Sequence, residues 1–336
     1  MSNRTFRTFQ TFRLCLLALG LLPMAGAALA QPYPTRAVKL VVGFAPGGAA
    51  DQVSRAYQES LSRELGQPVV VENRAGAGSS IAAEYVARSA PDGYTLLIAS
   101  PSSILVNPII SPKPGFDPKR DLLPVTKVST SPLVVAVHAG VGVATLRELI
   151  AYAKKNPGKL NYGSSGNGSA PHLAGVLFTR LAGVDMVHVP FKGGAPSVQA
   201  LLAGDIQLSF ATPPSVLSHV KSAQNPDGRL LALAVTSRER TALMPGVPGM
   251  AEAGLPEYEI SFWYGFFFPA GTPPEAVKRM FDATIAAAGK PAVGKALERG
   301  GTETAASKSP EEFAAFIAED AKLWTRVVKD AGVKAD

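Results

Sequence analysis

The chain has 336 residues, a formal net charge of +7 and a single cysteine, Cys15. Acids are interleaved with bases along most of it, so no basic stripe speaks for nucleic acid. One thiol near the N-terminus excludes a disulfide framework and thiol catalysis in the body of the protein, which has to be held by its apolar core; the length suits two ordinary domains.

In chain order, the first thirty residues read as an export signal. Arg4, Arg7 and Arg13 form a basic region, 14–22 is a short apolar run, and Ala28-Leu29-Ala30 is a small-x-small cleavage signal before Gln31. The run falls short of the roughly 20 residues that a retained membrane anchor needs, and Phe12-Arg13-Leu14 lacks the small residues that precede a lipid-modified cysteine. Cleavage after Ala30 removes Cys15 and, with three arginines and no acids lost, takes the charge from +7 to +4.

The remainder alternates strand-like runs with helical periods, the pattern of α/β layers. Strands are expected at 38–44, 69–72, 95–99, 133–137, 160–162, 186–189, 206–210, 230–235 and 263–268. Capping boxes at Thr145-Leu146-Arg147-Glu148 and Ser309-Pro310-Glu311-Glu312 mark two helix starts. The stretch 100–132 reads as proline-rich and irregular, and 236–256 as rich in turn formers. Taken as two crossovers, they give a first domain from 31–130 and 231–336 and an inserted second domain, 131–230, with the connections acting as a hinge.

Two strand–loop–helix junctions carry the functional signal. Ala45-Pro46-Gly47-Gly48 precedes a helix beginning near Asp51, and 163–169 (Gly-Ser-Ser-Gly-Asn-Gly-Ser) precedes a helix through Leu173, Val176, Leu177 and Leu181. Helix N-termini present unpaired N–H groups and about half a positive charge, and glycine lets a ligand approach that backbone, so each loop is an anion seat. A single such loop is more simply a tight turn; the hydroxyls and amide of Ser164, Ser165, Asn167 and Ser169 tilt the second toward binding. Neither matches a nucleotide signature, since Ser169-Ala170 stands where a phosphate loop needs Lys then Ser or Thr, and Pro171 where a dinucleotide loop needs its third glycine.

Other chemistry is thinly supported. No Gly-x-Ser-x-Gly elbow occurs, and His138, His172, His188 and His219 sit in separate segments without metal-ligand spacing. His172 either binds a ligand or caps its helix, and a metal held by His172 and His188 has no sequence support. Asp51 compensates the helix dipole and braces its loop, facing away from a ligand acid or holding an amine or a water. The aromatic run 261–269 reads most simply as a buried strand, firmly for Phe266 and Phe268 and less so for Trp263, with a cleft near the hinge as the alternative place for some of its rings. Three functions are weighed: a receptor for small acids; a secreted hydrolase using Ser164, Ser165 or Ser169 with His172; and a ligand sensor docking to a membrane partner.

These residues also resemble a known family. Tyr33-Pro34-Thr35-Arg36, Phe44-Ala45-Pro46-Gly47-Gly48-x-x-Asp51, Val69-Val70-Val71-Glu72-Asn73-Arg74-x-Gly76-Ala77-Gly78, Pro91-Asp92-Gly93-Tyr94, Asn156-Pro157-Gly158-Lys159 and Val187-His188-Val189-Pro190-Phe191-Lys192-Gly193 are similar to the Bug-type receptors of tripartite tricarboxylate transporters, over essentially all of 31–336. The resemblance implies a monomeric, periplasmic, two-domain Venus-flytrap receptor (type II periplasmic-binding-protein architecture) without metal, cofactor or catalysis, which closes on a small carboxylate and delivers it to integral-membrane permease subunits. It implies ligand contacts at Phe44, Ala45, Gly48, Ala49 and Asp51, with Ser100, Ser102 and Ser103 behind them, and on the second domain at Ser164, Ser165, Gly166, Asn167, Gly168, Ser169, His172, Lys192 and Thr212. Ala211-Thr212 replaces a frequent Asp-Asn pair, and Ala49-Ala50 a frequent Gly-Thr or Gly-Gly. Loss of that Asp disfavours an amino-acid ligand and favours a di-, tri- or aromatic carboxylic acid.

Overall fold

The computed structural model describes residues 33–331 except 45, 77–78, 111–114, 192–193, 223–224, 259 and 261, with the backbone alone at 330–331. The export signal, Ala45 and Lys192 lie outside the described residues.

β-branched runs without interior glycine make the strands β1 (Val38–Val42), β2 (Val69–Asn73) and β3 (Thr95–Ala99), with α1 (Ala49–Leu65) and α2 (Ser80–Ala87) as crossovers. Then follow β4 (Leu122–Ser131), β5 (Val134–His138), α3 (Leu146–Lys155), β6 (Leu160–Ser164), α4 (Ala170–Ala182), β7 (Met186–Pro190), α5 (Gly194–Ala203), β8 (Leu208–Ala211), α6 (Pro213–Val216) and β9 (Leu230–Val235). The chain ends with β10 (Phe262–Pro269), α7 (Pro274–Ala288), α8 (Pro291–Arg299), β11 (Glu303–Thr304) and α9 (Pro310–Ala331).

The strands form two sheets, ordered β11-β4-β10-β3-β1-β2 and β7-β6-β8-β5-β9. Leaving out the two-residue β11, the orders are equivalent: a parallel trio (β2-β1-β3; β7-β6-β8), then two antiparallel partners (β10-β4; β5-β9). The sequence shows no repeat, yet the chain builds one sheet pattern twice, with the connections permuted. Each sheet is covered on both faces. Leu40, Val42, Leu96, Ile98 and Phe266 meet Tyr57 and Leu61 of α1 and Met280 of α7, whereas Val134, Ala136 and Leu230 meet Val198 and Leu201 of α5. Each fully buried aliphatic side chain of this kind contributes about 1.5–3 kcal/mol. The remaining faces share one core in which α9 reaches both lobes: Trp324 and Val327 lie in the same cluster as Trp263 of β10 and Phe178 of α4.

Two expectations need correction, and the burial reading holds at Trp263 too. The region 100–132 is not irregular throughout, because β4 occupies ten of its residues and pairs with β10 from Leu122 to Ser131. Pro124 and the polar alternation of Thr126, Lys127, Ser129 and Thr130 hide that strand. The second sheet reaches Val235, since β9 pairs with β5, so a boundary at 230 cuts one of its strands away. Trp263 is buried, only 1% exposed, and donates its indole N–H to Asp320 of α9 at 2.7 Å.

Two connections join the lobes, the short one from β4 to β5 and the longer one from β9 to β10, and they are bonded to each other. Leu133 N–H donates to Thr236 Oγ1 and Thr236 N–H to the Leu133 carbonyl, both at 2.8 Å. Ile260 N–H donates to the Thr236 carbonyl at 3.2 Å.

Candidate functional site

α1 and α4 both begin at a glycine-rich loop, and both begin uncapped: neither Gly48 nor Ser169, at the N-cap positions, makes a side-chain capping bond. The first intrahelical bonds run from Gln52 N–H to Gly48 and from Leu173 N–H to Ser169. The N–H groups of Ala49, Ala50 and Asp51 in one helix, and of Ala170 and His172 in the other, therefore stand free of the backbone ladder. No hydrogen bond from them to a described residue is formed.

Both helix starts open on one cleft of about 380 Å³. Phe44, Ala49, Ser100, Ser102 and Asn107 form its first wall, and Ser165, Asn167, Gly168, Ser169, Ala170 and Thr212 the opposite one. Ser131, Leu133, Phe262 and Tyr264 close it where the chain crosses between lobes. Among the described residues the lining carries no charged side chain, so an anion here is met by helix ends, hydroxyls and amides. Burial pushes the Tyr264 phenol up to about 12, which keeps it a hydrogen-bond donor at any ordinary pH. Ser102 and Asn107 are brought in by a single π turn, Ser102–Val106, which runs into the helical Asn107–Ile110.

Several expected contacts lie behind the wall. Ser103 is fully buried and exchanges both hydrogen bonds with the Ser100 backbone. Asp51 is 2% exposed; its Oδ2 accepts from Gly47 N–H and Arg55 Nε, both at 2.9 Å, and its Oδ1 from Asn73 Nδ2 at 3.0 Å. Burial alone would raise that carboxyl, but the donors from Arg55, Gly47 and Asn73 outweigh it and hold it below its ordinary value. The carboxylate braces the first loop. Gly48 stands at the helix start without lining the cleft.

In the second loop, Gly166 and Gly168 have φ of +122° and +69°, open to glycine and costly for other residues. Their N–H groups are not free, against the expectation for a loop that presents them: Gly166 donates to Ser164 Oγ and Gly168 to His172 Nδ1, each at 3.1 Å. Ser169 Oγ donates to the Gly166 carbonyl at 2.6 Å. His172 thus secures the loop, and its imidazole is held down to about 4 by burial and by the neighbouring His188. The two imidazoles stack, centroids 3.9 Å apart, rather than turning their nitrogens toward a common point. The buried Ser164 pairs with His188, not with His172, at 2.7 Å.

Asn107, Ser131, Leu133, Ala170, Phe262 and Tyr264 are the lining residues absent from the expected contacts. Alternation along β10 was the available signal, since it sets Phe262 and Tyr264 opposite Trp263. A second cavity of about 280 Å³, between Ile104, Leu105, Phe267 and Ile317, is walled mainly by apolar side chains, with Lys119 at its edge.

Two α/β lobes of one sheet pattern, with helix N-termini at the cleft between them, define a solute receptor of the periplasmic-binding-protein kind. The model of the family described as Tripartite tricarboxylate transporter family receptor matches residues 53–333, and the chain belongs to that family. Over 312 residues it is 36% identical to Protein BugT of Bordetella pertussis, covering 93% of this chain and 94% of that one. An R. palustris protein solved with adipate is 34% identical, with a TM-score of 0.76, 90% of this chain and 99% of that chain being covered. MatC from Rhodopseudomonas palustris, with bound malate, is 30% identical with a TM-score of 0.71, over 88% of this chain and all of the other. This is a family of periplasmic solute-binding receptors and not of enzymes, which sets the hydrolase reading aside.

Proposed function

We propose that this receptor captures a small organic dicarboxylate between its lobes and passes it to the membrane subunits of a tripartite tricarboxylate-type transporter. The observation that carries the reading is the pair of uncapped helix starts, α1 and α4, facing one cleft whose lining, among the described residues, has no charged side chain. Each supplies N–H donors and a positive dipole end, which suits one carboxylate apiece. Between them Phe44, Leu133, Phe262 and Tyr264 offer apolar surface, which favours an acid with a hydrocarbon or aromatic middle over one carrying an amine. The adipate and malate relatives support the class of ligand. The chain acts as a monomer, exported and cleaved after Ala30.

The test is a thermal-shift screen of the purified mature protein against adipate, malate, citrate, terephthalate and glutamate, followed by calorimetric titration. A ligand at about 100 times its Kd raises stability by roughly 2.7 kcal/mol. Stabilisation by one or more diacids, recovered unchanged by mass spectrometry, is the expected result. Stabilisation by glutamate alone, or by none of the five, would overturn the proposal.

A further inference from the structure

His188 of β7 is joined to both anchors of the second glycine loop. Its Nε2 shares a 2.7 Å hydrogen bond with Ser164 Oγ, the atom to which Gly166 N–H donates. Its ring lies 15° from parallel on that of His172, whose Nδ1 accepts the Gly168 N–H. Tyr162 flanks the same imidazole, with centroids 5.0 Å apart. Glycines at φ +122° and +69° have many alternative conformations, so nothing in their own covalent structure keeps them in these. Ser169 holds the Gly166 carbonyl from within the loop, whereas the bonds made by the two glycine N–H groups end on Ser164 and His172, the two residues that His188 touches; His188 itself is absent from the cleft wall.

We infer that His188 is a positioning residue for anion capture: by pinning Ser164 and backing His172 it fixes Gly166 and Gly168, and so aims the free N–H groups of Ala170 and His172 into the cleft. The inference rests on the proposal that this loop seats a carboxylate. Burial keeps both imidazoles below their ordinary range, so His172 Nδ1 is available as an acceptor at neutral pH. The arrangement explains why a loop lined with hydroxyls needs a histidine from the next strand. Ser164 is oriented by a partner outside the loop instead of turning toward the ligand.

The test compares wild type with Ser164→Ala, His188→Phe, His188→Gln and the Ser164→Ala/His188→Phe double variant. Phe keeps a ring in the stack and loses the hydrogen bond; Gln keeps a polar group able to reach Ser164 and loses the ring. In the unliganded protein, amide hydrogen exchange at Gly166 and Gly168 should quicken by about threefold to tenfold in Ser164→Ala and His188→Phe, the scale of one lost hydrogen bond. With adipate as probe, affinity should fall in both, at least as far in Ser164→Ala, which also loses the bonds to Gly166, as in His188→Phe, and the double variant should fall no further than Ser164→Ala, because His188 acts through Ser164. His188→Gln should recover part of the affinity lost in His188→Phe. Unchanged exchange in both single variants, additive losses, or wild-type affinity in His188→Phe would each overturn the inference. Absence of carboxylate binding by wild type would instead overturn the proposed function, with the exchange rates still reporting whether the clamp exists.

Discussion

Asp51→Ala removes an acceptor that three donors use at once. The Gly47 N–H and the Asn73 amide reach the carboxylate at 2.9 and 3.0 Å from partly buried positions, and bonds of this kind to a charged acceptor are worth about 1.5–3 kcal/mol each on deletion. Arg55 adds little, because its side chain is 50% exposed and an i,i+4 pair of that kind gives about 0.3–0.5 kcal/mol. Part of the loss is returned, since the variant no longer has a carboxylate to desolvate. The net expectation is a loss of about 2–4 kcal/mol. With an unfolding entropy near 0.6 kcal/mol/K for about 300 residues, the melting temperature falls by about 3–6 °C. Asp51→Asn keeps one acceptor oxygen and should lose less than half as much. Urea unfolding at pH 7 measures the stability term, and calorimetric titration with adipate measures the affinity, which should fall for every diacid alike as the loop before α1 loosens. A stability change below about 0.5 kcal/mol would refute the bracing role. So would unchanged stability with selective loss of amine-bearing ligands, which would make Asp51 a ligand contact.

Further outcomes follow from the same geometry. Gly168→Val forces a β-branched residue to φ +69°, at a cost of about 1–3 kcal/mol, and should weaken adipate binding more than tenfold by calorimetry. Lys192→Ala should have a smaller effect that shrinks as salt rises; the reverse pattern would put the carboxylate on that lysine. Acid should destabilise the protein through His172. Its folded value is about 4 against an ordinary 6.5, so between those values the unfolded chain binds the proton first. Stability should therefore fall by up to about 3 kcal/mol as pH drops from 6.5 toward 4. Urea midpoints at pH 7, 5.5 and 4.5 should show this slope in wild type and a flatter one in His172→Phe. Asp320→Ala should cost about 2–4 kcal/mol and shift tryptophan emission to the red, because the indole N–H groups of Trp263 and Trp324 both lose their acceptor. Small-angle scattering should show a smaller radius of gyration with saturating adipate than without; an unchanged value under demonstrated saturation would argue against closure of the lobes.

Local chemistry was legible wherever one segment carried its own signal. β3 and β9 fall at their expected residues, and Thr145 accepts from Glu148 N–H as its capping box predicts. β4 was not legible, because a proline and alternating hydroxyls read as loop until β10 is found beside it. In the site, the loops at Gly48 and Ser169 announce themselves through glycine, but Asn107 and Ser131 are ordinary polar residues until the two lobes meet. Gly168 shows the limit most plainly. Sequence places an N–H at the helix start, yet only the fold reveals that His172 already takes it.

The bonds between Leu133 and Thr236 bear on how the lobes can move at all. A change in the angle between the sheets has to bend these two connections as well as slide along α9, and each connection donates a hydrogen bond to the other at 2.8 Å. Fastened side by side, they cannot slide past one another without breaking both bonds, so shear and twist at the crossing are resisted while bending of the joined pair is not. Leu133 also faces the cleft, as does Ser131 just before it. A bending at this crossing would be felt directly by whatever the cleft holds, since the bonded connection forms part of its wall.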